Sequence, residues 1–397
     1  MSALANLSVA DTHLRGDLPM GRIEITVDRA EIPPHELFSL ATRNNPKRAF
    51  LFLSHVLGKH LPVTPKAMED VHERLSRHIP DLPQPVIFIG MAETATGLGQ
   101  GVFEAWQRTH PGQEAVFLHT TRYQVQNGVP IYFEEAHSHA PLQWLYQPED
   151  PALSWRFQHA RSLVLIDDEI STGSTFANLA RACRVHAPAV TDVHLAAITD
   201  FTGPARKAQL ADQFDTAWSI GALLYGQWHF EPNGRVAPAP PNSQAPSGTA
   251  PTVVDSGFGR LGRGNCVTVP KERLAALCQG MLPTDRVLVL GTGEFMHPAF
   301  VLAREMHDMT GARVFMHATT RSPIVTWGPI EKAMSFPDNY GEGIPNFLYN
   351  CGPDQYDHVF ICHETGVTPS LIAVARQLGA RLLHFRSEQE IEENTVR

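Results

Sequence analysis

Leu163-Val-Leu-Ile-Asp-Asp-Glu-Ile-Ser-Thr-Gly-Ser-Thr175 is the stretch that decides the fold. Its first four residues are apolar and read as a buried strand. Asp167 and Asp168 follow as adjacent carboxylates. A loop of small and hydroxyl residues, Ser171, Thr172, Gly173, Ser174 and Thr175, then runs into a helical pattern with Phe176, Leu179 and Cys183 on one face. Strand, acidic pair, small-residue loop and helix start together make a site for a phosphorylated sugar. Backbone N–H groups and hydroxyls at a helix N-terminus suit a phosphate. The acidic pair does not. It suits two vicinal hydroxyls, whose hydrogen bonds it can accept, or a divalent metal.

The α/β rhythm extends outward from this stretch. Strand-like runs at 86–89, 115–118 and 193–198 alternate with apolar-periodic segments, which predicts a mainly parallel sheet with helices on both faces. Residues 1–30 read as an N-terminal extension with a short strand near 22–27, and 31–230 as the first domain. A stretch rich in Pro, Ala, Ser, Gly and Asn makes 231–253 a linker. Residues 254–397 form a second α/β domain with strands expected at 286–290, 313–317, 357–361 and 381–385.

The chain has 397 residues, enough for two or three domains. A net charge of −9 argues against duplex nucleic acid as an unspecific partner. Five widely spaced cysteines form no CxxC pair and fit a reducing cytosol. No signal peptide is expected at the N-terminus, and no apolar run reaches the ~18 residues of a membrane span, so the expected location is cytoplasmic.

The second half echoes the first. Val86-Ile-Phe-Ile-Gly-Met-Ala-Glu-Thr94 returns as Val287-Leu-Val-Leu-Gly-Thr-Gly-Glu-Phe295. Phe117-Leu-His-Thr-Thr-Arg-Tyr123 returns as Phe315-Met-His-Ala-Thr-Thr-Arg-Ser322. Leu163-Val-Leu-Ile-Asp-Asp-Glu169 returns as His358-Val-Phe-Ile-Cys-His-Glu364. Glu294 follows Glu93 by 201 residues, Arg321 follows Arg122 by 199, and Glu364 follows Glu169 by 195. Three motifs in one order at near-constant offset mark the second domain as a degenerate copy. Cys362 and His363 replace the acidic pair, so ribose hydroxyls are not expected to be gripped there. A second anion site is expected at Gly291, Thr292, Gly293, Glu294, Thr320, Arg321, Ser322, His363 and Glu364, where a guanidinium fork and hydroxyls could converge. Loop contacts against the first domain are the competing reading of these residues.

The thirteen residues from Leu163 to Thr175 resemble the phosphoribosyl pyrophosphate (PRPP) signature of type I phosphoribosyltransferases. Glu169 departs from it, standing where that signature usually has an aliphatic residue. The resemblance implies the type I fold and Mg²⁺ as cofactor. It places Asp167 and Asp168 on the ribose hydroxyls and near the metal, and Ser171 to Thr175 around the 5′-phosphate. The loop Met91, Ala92, Glu93, Thr94, Ala95 and Thr96, directly after a strand, then holds pyrophosphate. Glu93 opposes that charge unless Mg²⁺ intervenes. No G-x-G-x-x-G stands there, which disfavours a dinucleotide loop. Arg122 is expected to clamp the leaving group as charge builds on it. Arg43, Lys47, Arg48, Lys59 and His60 concentrate positive charge in a segment that is either an acceptor-binding hood or a basic face of the core. Lys59, His137 and His139 are candidate acceptor or loop contacts. Hypoxanthine-guanine enzymes of that family carry an aspartate at the position of Ser171; serine is no base near pH 7, which disfavours a standard 6-oxopurine.

Thr320-Arg321-Ser322-Pro323, with Asn45-Pro-Lys-Arg48, Val56-Leu-Gly-Lys-His60 and Gly90-Met-Ala-Glu-Thr-Ala-Thr96, resembles a narrower group. These are the phosphoribosyltransferases of bacterial tellurium-resistance (ter) stress operons, which carry a C-terminal TRSP domain. That resemblance implies an enzyme making a nucleoside-like molecule from PRPP and a base-like small molecule. A non-catalytic PRPP or nucleotide sensor, and an interaction protein of a stress complex, remain open alternatives. So do a homo-oligomer and ter-operon protein partners.

Overall fold

Strand Val86–Gly90 sets the plan of the first domain, because all five of its residues are buried. Val86 and Phe88 point into one core with residues of helices Pro65–Arg77 and Thr96–Thr109. Ile87 and Ile89 point into another, with Phe157, Phe176, Leu179 and Leu210 from helices Pro151–Gln158, Ser174–His186 and Gly203–Phe214. Period-two alternation thus feeds both faces of one sheet. The structure, a computed structural model, describes residues 12–43, 45, 48–134, 142–235, 253–254 and 257–394.

The first sheet has seven strands in the order His13–Leu18, Gly21–Ala30, Ala217–Pro232, Asp192–Asp200, Ser162–Ile170, Val86–Gly90, Ala115–His119. The last five run parallel. The first two pair antiparallel, against each other and against Ala217–Pro232. Residues 12–30, expected as an extension ahead of the domain, are therefore built into its sheet. Leu14, Leu18, Ile23, Ile25 and Val27 line one buried face, with polar residues between them.

The second sheet reads Arg313–Ala318, Arg286–Gly291, His358–His363, Arg381–Phe385, Ile391–Asn394. Its first four strands are parallel and its last is antiparallel. Its four parallel strands repeat the arrangement of Ala115–His119, Val86–Gly90, Ser162–Ile170 and Asp192–Asp200. The helices that follow Val86–Gly90 and Arg286–Gly291, Thr96–Thr109 and His297–Thr310, have 14 residues each and pack on one another. Both begin beyond a glycine that must lie close to the returning loop. A Cβ at Gly90 would stand 2.8 Å from the Ala95 carbonyl oxygen, and one at Gly291 would stand 2.3 Å from that of Phe295.

Two further pieces tie the halves together. Hairpin Phe38–Thr42/Phe50–Ser54 bridges through Arg43 to Ile324, with Ala41 and Leu53 buried against Ile324, Phe347 and Tyr349. Beyond the linker, residues 257–263 run along the edge strand Ala115–His119, where Phe117 and Arg263 exchange both backbone hydrogen bonds at 2.8 Å. That segment covers a sheet edge that would otherwise be exposed. Among the described residues no helix is long and apolar enough to cross a membrane.

Candidate active site

Two strands end at Gly90 and His119, in register with Ile166, just ahead of Asp167 in the neighbouring strand Ser162–Ile170. Just past Gly90, Met91 N–H donates to the Ile166 carbonyl (2.9 Å), and Thr120 N–H donates to the Gly90 carbonyl (2.9 Å). The Met91–Thr96 loop and the Asp167–Asp168 pair therefore share one edge of the sheet, the usual place for a ligand in such sheets. The Ala92–Glu93 peptide is cis. Ala92 N–H donates to Thr120 Oγ1 (2.8 Å), and Thr120 Oγ1 in turn donates to Gln143 Oε1 (3.0 Å), which fixes the loop.

The acidic pair stands inside the strand, which continues to Ile170. Asp168 N–H donates to Asp167 Oδ1 at 2.9 Å. Burial pushes the Asp168 carboxyl above the usual aspartate range. The hydrogen bond from Asp167 and the nearby Arg48 oppose that rise, and Glu169 adds to it. Glu169 is not left exposed as an extra charge. Arg48 Nη2 lies 2.8 Å from its Oε2, and the Arg48 guanidinium packs over the rings of Phe50 (4.6 Å), Trp228 (5.4 Å) and Phe52 (5.6 Å). Arg43 lies in the same group. Burial lowers its guanidinium to about 10, Arg48 adds to that shift, and Glu169 and Asp168 oppose it. Arg43 and Arg48 thus lie over the acidic strand rather than facing solvent, while Lys47 lies outside the described residues.

Ser171 to Thr175 form the turn into helix Ser174–His186. Gly173 takes the left-handed φ of 70° at the N-cap, and a Cβ there would stand 2.6 Å from Leu210 Cδ1. Arg206, on the neighbouring helix Gly203–Phe214, donates to the Thr172 carbonyl (2.6 Å) and to Ser174 Oγ (2.8 Å). Sequence reasoning missed Arg206. Its only signal was its place near the start of the helix after strand Asp192–Asp200, whose end adjoins the acidic strand.

Lys59, a candidate acceptor or loop contact, is buried between the domains, 2.6 Å from Glu93 Oε1 and donating to the Gly293 carbonyl at 2.7 Å. Burial pushes the Glu93 carboxyl up, but Lys59, then Arg321, outweigh it, with Arg122 adding to them, and hold it below the usual range. Burial lowers the Lys59 ammonium as well.

The residues expected to form a second site lie at the same seam. Glu294 accepts from Thr121 Oγ1 (2.6 Å) and from Arg122 N–H (2.8 Å). Arg321 donates to Tyr123 Oη (2.9 Å) and pairs with Glu342. Glu364 is paired with Arg260, which also reaches Glu294 and Thr121. Arg260 is fully buried, and neither composition nor spacing singled it out. Thr320 N–H and carbonyl bridge to Phe347. Ser322 accepts at its carbonyl from Tyr349 Oη. His363 Nδ1–H donates to the Thr365 carbonyl (2.8 Å), and burial lowers its imidazole to about 4. The loop matching Ser171–Thr175 is tied at both ends to the 338–339 turn: Asn339 donates to Thr365 Oγ1 (2.8 Å) and Ser370 Oγ to the Asp338 carbonyl (3.3 Å). His137 and His139 lie outside the described residues.

Residues 37–227 match the family model described as phosphoribosyl transferase (PRTase_2), and residues 265–378 match the one described as TRSP domain C terminus to PRTase_2. No curated protein matches the chain. Among solved structures, the Trypanosoma brucei adenine phosphoribosyl transferase in complex with AMP, pyrophosphate and ribose-5-phosphate is 14% identical, with 48% of this chain and 77% of that chain covered and a TM-score of 0.33. The Giardia lamblia enzyme complexed with 9-deazaadenine is 16% identical over 48% and 97%, also at 0.33. The chain thus carries a phosphoribosyl transferase domain over residues 37–227 and a TRSP domain over 265–378, and it is a phosphoribosyltransferase.

Proposed function

We propose that the protein moves the 5-phosphoribosyl group of PRPP to a base or base-like acceptor and releases pyrophosphate, in the synthesis of a nucleoside-like molecule for a stress response of the tellurium-resistance kind. The observation that carries this reading is the shared strand edge. Two carboxylates, a phosphate-sized loop at a helix start and a second small-residue loop converge there in the order a ribose bearing a 5-phosphate and a 1-pyrophosphate would need.

In this mechanism Asp167 and Asp168 accept hydrogen bonds from the two ribose hydroxyls and stabilise positive charge growing at C1. Backbone N–H groups and hydroxyls of Ser171–Thr175 anchor the 5-phosphate, and Arg206 holds that loop in shape. The bond from C1 to the pyrophosphate oxygen breaks as one to the acceptor forms. Arg122 and the Met91–Thr96 backbone receive the charge that moves onto pyrophosphate. The donor set fits Mg²⁺. Two adjacent carboxylates, one of them pushed up by burial, suit an ion that keeps water and phosphate ligands. Among the described residues no group of three or more His, Cys, Asp and Glu forms a protein cage. Bound between Asp167, Asp168 and PRPP, Mg²⁺ would neutralise phosphate charge. Arg43 and Arg48 lie over the acidic strand, where an acceptor would approach C1. Pyrophosphate release from Mg·PRPP across a panel of bases tests the reading. Release that depends on one class of base is expected. Binding of PRPP with no turnover on any base would favour a sensor.

A further inference from the structure

The seam between the domains has a pattern that phosphoribosyl transfer by the first domain alone does not require. Residues of the second half that stand at positions equivalent to the first half's loop motifs make its contacts. Glu294, equivalent to Glu93, grips the Thr121–Arg122 turn of the first domain. Arg321, equivalent to Arg122, reaches back to the first domain, donating to Tyr123 Oη and covering the Tyr123 ring at 5.1 Å. Tyr123 stacks on Tyr340 with ring centroids 4.0 Å apart. Thr96 Oγ1, at the first turn of one helix, donates to the Glu294 carbonyl just ahead of the equivalent helix. Those helices approach so closely that a Cβ at Gly97 would stand 3.0 Å from Met296 Cβ. The second domain thus packs its own loop ends and helix start against those of the first.

We infer that the second domain serves as an in-chain partner subunit, and that Glu294 and Arg321 are positioning residues for the pyrophosphate loop and Arg122 of the first domain. The inference rests on the reading of that loop given above. Its physical basis is charge. Glu93 places a carboxylate in a loop meant for an anion. Lys59 and Arg321 offset that carboxylate, while Glu294 fixes the backbone of Arg122. Without Arg321 the loop would be more negative and its affinity for pyrophosphate lower. The 5-phosphate loop is held from within the first domain, by Arg206 at the Thr172 carbonyl and Ser174 Oγ. On this view the Thr-Arg-Ser motif holds no ligand of its own.

The test uses the full chain, with Arg321→Met, Arg321→Lys and Glu294→Gln, and two probes titrated by calorimetry: pyrophosphate with Mg²⁺, and ribose 5-phosphate. The expected result is selective. Arg321→Met and Glu294→Gln weaken pyrophosphate about tenfold, the scale of one charge-assisted interaction. Ribose 5-phosphate binds as in wild type, and Arg321→Lys recovers most of the loss. Unchanged pyrophosphate affinity in both Arg321→Met and Glu294→Gln would overturn the inference. So would equal loss of both probes with a lowered Tm, since that is a structural role only. Wild type that binds ribose 5-phosphate but no pyrophosphate would overturn the reading of the Met91–Thr96 loop itself.

Discussion

Glu169 shows how one residue can depart from a motif without spoiling its site. A third carboxylate beside Asp167 and Asp168 would raise their affinity for protons and oppose their ionisation. Arg48 offsets it at 2.8 Å, from a segment 121 residues earlier. The pair sits beside Asp168, whose carboxyl burial already pushes up. Two substitutions should therefore move the acid limb of the pH profile of kcat/KM in opposite directions. Glu169→Gln removes a negative neighbour, so Asp168 ionises more readily and the limb shifts to lower pH. Arg48→Ala removes a positive neighbour, so the limb shifts to higher pH. Shifts of the same sign in both variants would mean that the pair does not act through the acidic strand.

At the scale of elements, much of the first domain was legible because its signals are local. The four apolar residues at 163–166 became the centre of a nine-residue strand, and Phe176, Leu179 and Cys183 are all buried on one face of helix Ser174–His186. The loop of Ser171–Thr175 falls at that helix start. Strand Ala217–Pro232 was not foreseen. Its 16 residues mix Gly, Gln and His with aromatics, and it passes from parallel to antiparallel partners with a bulge at Tyr225/Gly226. Hairpin His13–Leu18/Gly21–Ala30 was read as an extension, since half-buried alternation does not say which sheet it joins. In the site, motif residues could be named from spacing, but Arg206, Arg260 and the position of Lys59 could not. Each acts on a partner far away in sequence, and a lone basic residue in a helix or loop carries no local mark of that partner.

Across the whole molecule, the two sheets meet through their loop ends, and the seam and cores bury many titratable groups. Burial lowers His60 and His72 to about 3, and His194, His317 and His363 to about 4. An unfolded histidine titrates near 6.5, so between that pH and about 4 the unfolded chain binds more protons than the folded one. Stability should be fully present above pH 7 and be lost as the pH falls. The loss from pH 7.5 to 5.5 should be about 1 kcal/mol for each of these histidines, several kcal/mol together. Urea midpoints equal at the two pH values would contradict this. Only the first of the two related sheets keeps the acidic pair and the Ser-Thr-Gly-Ser-Thr loop; in the second, Cys362 and His363 stand in place of the pair and Gly366-Val-Thr-Pro-Ser370 in place of the loop. The most direct measurement is calorimetric titration of the full chain with Mg·PRPP, wild type against Asp167→Asn with Asp168→Asn. The expected result is one site per chain, weakened by an order of magnitude or more in the double variant, as charge-assisted hydrogen bonds of about 1.5–3 kcal/mol each are lost. Equal affinity in the two proteins, or two equivalent sites in the wild type, would contradict it.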